Sequence, residues 1–293
     1  MTISSHSLKQ FQYQRLLSID PLTKQAAFTG NVGDNTDQEA LVVIEPIPFH
    51  AEDLQEFVQK SDLALNLHND AYSSFTARTT GKYQLQLTYP ATSKHIDKFI
   101  EQHYHRVVET PDLYKNVVLP YIDSIPADRI QWVKNIIQGK CEQDRIIYND
   151  PDPLDGFILL PDIKWDAFNV ENLYIQAIAS NAAIRSVRDL GIEHLPMLKN
   201  ILKKGISCIA DHYNIDQSLL RVYVHYHPSF YHFHAHIVHS SLTTSSCFVG
   251  RAILLEDIIE NIQLYGKYYQ ERVLYYYLPE SHDIYKLLTG SSL

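Results

Sequence analysis

The chain has 293 residues, 45% hydrophobic and 20% charged, a composition that suits a water-soluble protein with room for two cores. Its formal net charge of −9 argues against a broad electrostatic footprint on long nucleic acid, whose phosphates need a basic surface. No run approaches the roughly 18–20 apolar residues of a membrane span. The N-terminus lacks an apolar signal core, and Cys141, Cys208 and Cys247 fit neither a disulfide framework nor a CxxC knuckle, so a reducing compartment, cytoplasm or nucleus, is expected.

In chain order, residues 1 to 90 read as strand-rich, with ALVVIEPIPF (40–49) and YQLQLTYP (83–90) as strands and a helical stretch over 53–65. From Ser93 the spacing of Ile96, Phe99, Ile100, Tyr104 and Val107 predicts a helix. That helix marks the junction between an N-terminal domain, 1–97, and a C-terminal domain, 98–293. A second helix is expected over 128–143, with Ile130, Val133, Ile136 and Ile137 on its apolar face. RIIYN (145–149) and FILLP (157–161) flank the turn formers NDPDPLDG and predict a hairpin. Helical patterns follow at 170–180 and 194–212, then two strands, 221–226 and 231–240, around Pro228-Ser229. A polar loop, a helix over 252–264 and a strand over 272–278 complete the chain. Strands paired by hairpins and mixed with helices predict an antiparallel α+β fold.

Six of the fifteen histidines fall from His225 to His239, and His232, His234 and His236 alternate with Phe233, Ala235 and Ile237. On a strand, alternate side chains share a face, so three imidazoles would line one side and an apolar row the other. Chance histidines on a half-exposed strand are one explanation, though strict alternation is a poor fit to chance. Zinc ligation is another, but it calls for a carboxylate or thiolate, and 222–246 contains no Asp, Glu or Cys. The third is covalent catalysis on phosphate, with one neutral imidazole as nucleophile and Ser229 and Arg251 stabilising the charge that develops. This last reading accounts for most of the features at once.

The spacing His-apolar-His-apolar-His-apolar-apolar resembles the histidine-triad superfamily of nucleotidyl hydrolases and transferases. The resemblance extends to the scavenger mRNA decapping enzymes through HYHPSFYHFHAH (225–236), PDIKW (161–165), NDPDPLDGF (149–157), IRSVRDL (184–190), EHLPMLKNIL (193–202), QWVKNI (131–136), NDAY (69–72) and YPATSKHIDKF (89–99). These segments cover roughly residues 65–290 in colinear order.

The resemblance implies a small N-terminal α/β domain exchanged within a homodimer, and a histidine-triad domain with an antiparallel sheet flanked by helices. It implies metal-independent hydrolysis of 7-methylguanosine cap dinucleotides and short capped RNA, with no cofactor. The middle histidine, His234, matches the nucleophile. His225, Ser229, His232, His236 and Arg251 match groups that bind or polarise phosphate, and Lys164 and Lys98 match phosphate-contacting lysines. Trp132, Glu142 and Asp162 match the base pocket, joined by Asn69 from the N-terminal domain. A methylated guanine carries positive charge, so stacking on an indole adds a cation–π term, and a carboxylate can accept both donors of the guanine edge. Each of these residues also has an ordinary explanation: Trp132 as a core anchor, Glu142 and Lys164 as solvated charges, Asp162 as a turn residue. His227, Phe230 and Ala235 depart from the family pattern. A dinucleoside polyphosphate hydrolase and a cap-binding regulator with little turnover are the rival functions.

Overall fold

The computed structural model describes residues 11–290, apart from 21–22, 34, 48–51, 53, 70–71, 79–82, 163–164, 166–167 and 244–246. The side chains of 35–37, 54, 67–69, 72–75, 77–78 and 94 also lie outside the description. The chain divides into two compact units, Met1–Gln102 and His103–Leu293.

In the first unit, β1 (Phe11–Ile19), β2 (Ala26–Val32), β3 (Asn35–Pro46) and β6 (Tyr83–Thr88) form an antiparallel sheet in that order. A separate ribbon pairs β4 (Asp62–Asn69) with β5 (Tyr72–Arg78). The core is small: Leu17, Ala27, Leu41, Val43 and Ile96, with Ala91 and Phe99 against it. The helix expected over 53–65 is confined to α1 (Leu54–Lys60), because Leu63, Leu65 and Leu67 alternate at period two and belong to β4. The junction helix is also shorter than expected. α2 (Ser93–Ile96) ends after one turn, and β7 (Tyr104–Glu109) runs where helix was predicted. In β7, Val107 is 7% exposed and Val108 42%, the alternation of a strand with one covered face.

The second unit is built on a six-stranded antiparallel sheet. Its strands in chain order are β8 (Tyr148–Asn149), β9 (Phe157–Pro161), β10 (Tyr174–Ala179), β11 (Leu220–His225), β12 (His234–His239) and β13 (Ala252–Leu254). Their order in the sheet is β13-β11-β12-β10-β9-β8. β7 pairs with β14 (Leu274–Pro279) in a second ribbon. The helix expected over 170–180 is a short 3-10 turn, Val170–Asn172, followed by β10. YIQAIA is covered on both faces of the sheet, so its near-continuous apolar run reads as easily as a buried strand. Residues 252–254 likewise pair as a strand before the helix begins.

Register separates the two faces of this sheet. Ala177 pairs with Ala235 and Leu159, and Val222 with Ile237, so these side chains share one side. Against them lies the 19-residue helix α4 (Leu195–Tyr213), whose Met197, Leu198, Ile201, Gly205 and Ile209 recur at helical spacing and are buried. Pro196 at its start and left-handed Asn214 at its end bound it. Gly205 permits the close approach: a Cβ there would stand 2.9 Å from Ile237 Cδ1. On the other side, Ile178 pairs with His234 and Ile158, while Gln176 pairs with His236 and Leu160. The helix α3 (Gln131–Ile137), shorter than the predicted 128–143, covers Ile158, Leu160 and Ile178 with Val133 and Ile136. The helices α5 (Leu255–Leu264) and α6 (Asp283–Thr289) complete the unit. No helix among the described residues is long and apolar enough to cross a membrane.

Candidate active site

β12 begins at His234, so His234 and His236 occupy one face of the strand while His232 stands just before it. All three are buried. His232 Nε2 lies 2.7 Å from the Ala179 carbonyl. A carbonyl only accepts, so Nε2 carries the proton and ties the ring to the end of β10. Burial lowers the pKa of His232, leaving it neutral near pH 7.

His234 is held by the same logic with the opposite tautomer. Its Nδ1 lies 2.8 Å from the His232 carbonyl, so Nδ1–H donates and the lone pair sits on Nε2. Among the described residues, buried Nε2 has no hydrogen-bond partner. Burial is the main cause that depresses the pKa to about 4, outweighing the His232 carbonyl that would raise it. A neutral imidazole with a fixed tautomer and an uncommitted lone pair is a nucleophile at neutral pH. Phe230 stacks on its ring with centroids 4.0 Å apart and planes 10° from parallel. His236 meets it edge-on at 5.0 Å and packs against Tyr174 and Tyr223, each at 5.3 Å. His225, the last residue of β11, brings its ring to 4.4 Å from His236.

The hairpin between β11 and β12 carries exposed Ser229, which borders three cavities. One, of about 170 Å³, it shares with Arg251, His227 and His282. A second, of about 450 Å³, is walled by Trp132, Glu142, Arg145, Asp162, Gln176 and Phe230. A third, of about 530 Å³, lies across the Trp132–Phe230 pair and also touches Arg129 and Arg185. Trp132 is 40% exposed and meets Phe230 edge-on with centroids 4.9 Å apart, so it is a cavity wall rather than a core anchor. Trp132, Glu142 and Asp162, scattered over thirty positions of sequence, thus meet in one place.

Other expected site residues stand elsewhere. Lys98 is exposed in the turn after α2, within the first unit. Asn69 ends β4 in that same unit, with its side chain outside the described residues. Lys164 lies outside the described residues altogether. No three His, Cys, Asp or Glu side chains among those described are grouped to hold a metal ion.

Sequence reasoning missed two supports of the 450 Å³ cavity. Arg145 pairs with Glu142 and donates to the Pro161 carbonyl at 2.7 Å. The opposite charges three positions apart were the available signal. Gln176 donates to Asp162 Oδ2 at 2.5 Å, a contact visible only once β10 is set beside β9 and β12.

It also missed a buried ion pair beneath the hairpin. Arg188 and Glu109 have 0% side-chain exposure and approach to 2.7 Å. Tyr226 and Tyr276 donate to the Glu109 carboxylate at 2.7 and 2.8 Å, and Arg188 also donates to the carbonyls of Tyr269 and Arg272. His227 places Nε2 3.4 Å from Glu109 and Nδ1 3.1 Å from the Tyr231 hydroxyl. Burial alone would raise the Glu109 pKa, but His227, Tyr226 and the Arg188 charge together hold it below the usual carboxylate value. This network fixes Tyr226 and His227, the residues that enter the Ser229 turn.

Comparison with known proteins bears on both units. Residues 6–102 match the family described as "Scavenger mRNA decapping enzyme (DcpS) N-terminal", and residues 131–250 match "Scavenger mRNA decapping enzyme C-term binding". The m7GpppX diphosphatase of Homo sapiens is 38% identical over 286 residues, covering 95% of this chain and 85% of that protein. That of Ascaris suum is 35% identical over 283 residues, 96% and 94% of the two chains. That of Schizosaccharomyces pombe is 33% identical over 295 residues, 97% and 95%.

Proposed function

Because the chain belongs to the scavenger mRNA decapping enzyme family, we propose that it hydrolyses 7-methylguanosine cap dinucleotides and short capped oligoribonucleotides through a covalent nucleotidyl-histidine. The observation that supports the reading is His234: a neutral imidazole whose Nδ1 proton is committed to a carbonyl and whose buried Nε2 has no hydrogen-bond partner among the described residues.

The cationic base stacks on Trp132 in the 450 Å³ cavity, with Glu142 accepting the donors of its edge and Asp162 in the same wall. The phosphate bridge passes Ser229, the one described residue that lines both this cavity and the Arg251 cavity. His234 Nε2 attacks the phosphorus nearest the methylated nucleoside. The bond from that phosphorus to the bridging oxygen breaks, and a nucleoside diphosphate or diphosphate-ended RNA departs with the electron pair. As the N–P bond forms, the ring gains positive charge, which the Nδ1–H···O=C bond to His232 stabilises. His225, His236, Ser229 and Arg251 stabilise the phosphoryl oxygens. Water then attacks the same phosphorus, the N–P bond breaks, and 7-methylguanosine monophosphate leaves. No metal or cofactor enters these steps.

Incubation with methylated cap dinucleotide in EDTA should yield 7-methylguanosine monophosphate and a nucleoside diphosphate. Three outcomes contradict the reading. Loss of turnover in chelator points to metal, and equal turnover of unmethylated dinucleoside polyphosphates points to the broader hydrolase. Tight binding without turnover points to a regulator.

We also propose that two copies pair through the first unit. Its sheet leaves Tyr13, Leu16 and Ile19 of β1 and Tyr83 and Leu85 of β6 exposed, while the core cluster among the described residues is Leu17, Ala27, Leu41, Val43 and Ile96. So much uncovered apolar surface on so small a unit calls for a partner. Light scattering after gel filtration should give twice the chain mass of 33.8 kDa at micromolar concentration. A monomer at that concentration rejects the pairing.

A further inference from the structure

The cavity assigned above to the base holds two acidic side chains, and each is gripped by a donor anchored in a different part of the fold. Asp162 takes the Gln176 amide at 2.5 Å, and Gln176 is fixed by its pairing opposite His236. Glu142 has no such strand behind it. It occupies a left-handed turn (φ 54°) between α3 and the 3-10 turn Gln143–Arg145. Its direction is set by Arg145, whose Nη1 meets Glu142 Oε2 while Nη2 reaches the Pro161 carbonyl, 2.7 Å away at the end of β9. One guanidinium thus spans from a turn to a strand, tying Glu142 to the residue beside Asp162. It takes one lone pair of Oε2 and leaves the other, together with Oε1, to accept a donor pair. A carboxylate free to rotate accepts a donor pair poorly, because the two hydrogen bonds need a fixed plane. The guanidinium also offsets one of the two acidic charges among the described residues of the cavity.

We propose that Arg145 is the specificity-determining positioning residue of this pocket: it holds Glu142 in the plane where the carboxylate accepts both edge donors of guanine. The inference rests on the base occupying this cavity, as proposed above. Arg145 acts through Glu142 and does not touch the reacting phosphorus. Lysine is a weak substitute, since a point-charge ammonium on a flexible stem cannot serve Glu142 and Pro161 with a rigid fork.

The test uses the full-length protein and reads Trp132 fluorescence during titration with 7-methylguanosine monophosphate and with 7-methylinosine monophosphate, which lacks the 2-amino donor. Wild type should prefer the guanine nucleotide. Arg145→Ala should weaken guanine nucleotide binding by about tenfold to a hundredfold, the usual range for losing a hydrogen bond to a charged group. Its binding of the inosine nucleotide should weaken less, so the preference collapses toward unity. Arg145→Lys should recover part of both affinity and preference. In turnover, the Arg145→Ala effect should fall on KM more than on kcat.

A wild-type protein whose fluorescence does not respond to either nucleotide overturns the base assignment itself. A responsive wild type with an Arg145→Ala variant of unchanged preference overturns the role of Arg145 alone. Equal weakening toward both nucleotides, preference intact, also overturns it, because a merely structural support would behave that way. If Arg145→Ala has lost its cooperative thermal transition, Arg145→Lys decides by the same ratio.

Discussion

Replacing His234 with Asn is expected to lower kcat by on the order of 10⁴–10⁶-fold, the scale seen when a catalytic nucleophile is removed. Asn is chosen because its amide N–H can take over the bond that Nδ1 makes to the His232 carbonyl, 2.8 Å away, so the fold is retained. What disappears is the lone pair at Nε2. The variant should bind 7-methylguanosine monophosphate as wild type does, since the base cavity is lined by other residues. Single-turnover kinetics measure the loss, and residual activity above about one part in a hundred, far outside the range for nucleophile removal, contradicts the assignment. The same ring sets a pH expectation. Burial depresses its pKa to about 4, below the ordinary histidine value of about 6.5. The nucleophile therefore stays neutral as pH falls through 6.5, and the acid limb of kcat/KM should not appear there.

Replacing Arg188 with Leu is expected to cost about 3–5 kcal/mol of stability, the range for removing one partner of a buried ion pair. Glu109 would keep Tyr226 and Tyr276 but lose the cation at 2.7 Å, and the carbonyls of Tyr269 and Arg272 would lose their donor. Changing both Arg188 and Glu109 to Leu should restore much of the loss, because no charge is then left buried alone. Glu109 has a lowered pKa when folded, so its contribution is present above the unfolded value and is lost as pH falls through the folded one. His227, His232, His234 and His282 are held neutral by burial, so the unfolded chain binds protons first as pH drops below about 6.5. Both effects weaken the wild type in acid. In the Arg188→Leu variant, Glu109 can escape its lost partner by protonating, so the penalty should shrink between pH 7.5 and 5. Urea midpoints at the two pH values test this, and a penalty that grows in acid is the contrary result.

Much of the site was legible because its chemistry has a short period. His234, Ala235, His236 and Ile237 alternate, and alternation alone places two imidazoles on one face and two apolar groups on the α4 side. The helix over 194–212 was equally plain, since Met197, Ile201, Gly205 and Ile209 repeat every four residues. The failures came where two periods compete or where a partner is far away. Ile96, Phe99, Ile100, Tyr104 and Val107 fit a helix as written, and only pairing with Leu274–Pro279 makes the last of them a strand. YIQAIA read as helical because both faces of its strand are covered, which leaves a near-continuous apolar run with no clear period of two. Glu109 and Arg188 are 79 positions apart, and nothing local tells a buried charge from a solvated one. Arg145 stood in plain view beside Glu142, but its second anchor, the Pro161 carbonyl, belongs to another strand.

In the proposed reaction His234 becomes covalently joined to the methylated nucleotide. Rapid acid-free quenching of a single turnover with excess enzyme, followed by peptide mass spectrometry, tests it directly. A 7-methylguanosine monophosphate adduct should appear on the peptide containing His234, formed and lost at rates that match turnover and absent from His234→Asn. An adduct on a different residue, or full turnover with no adduct at any quench time, would contradict it.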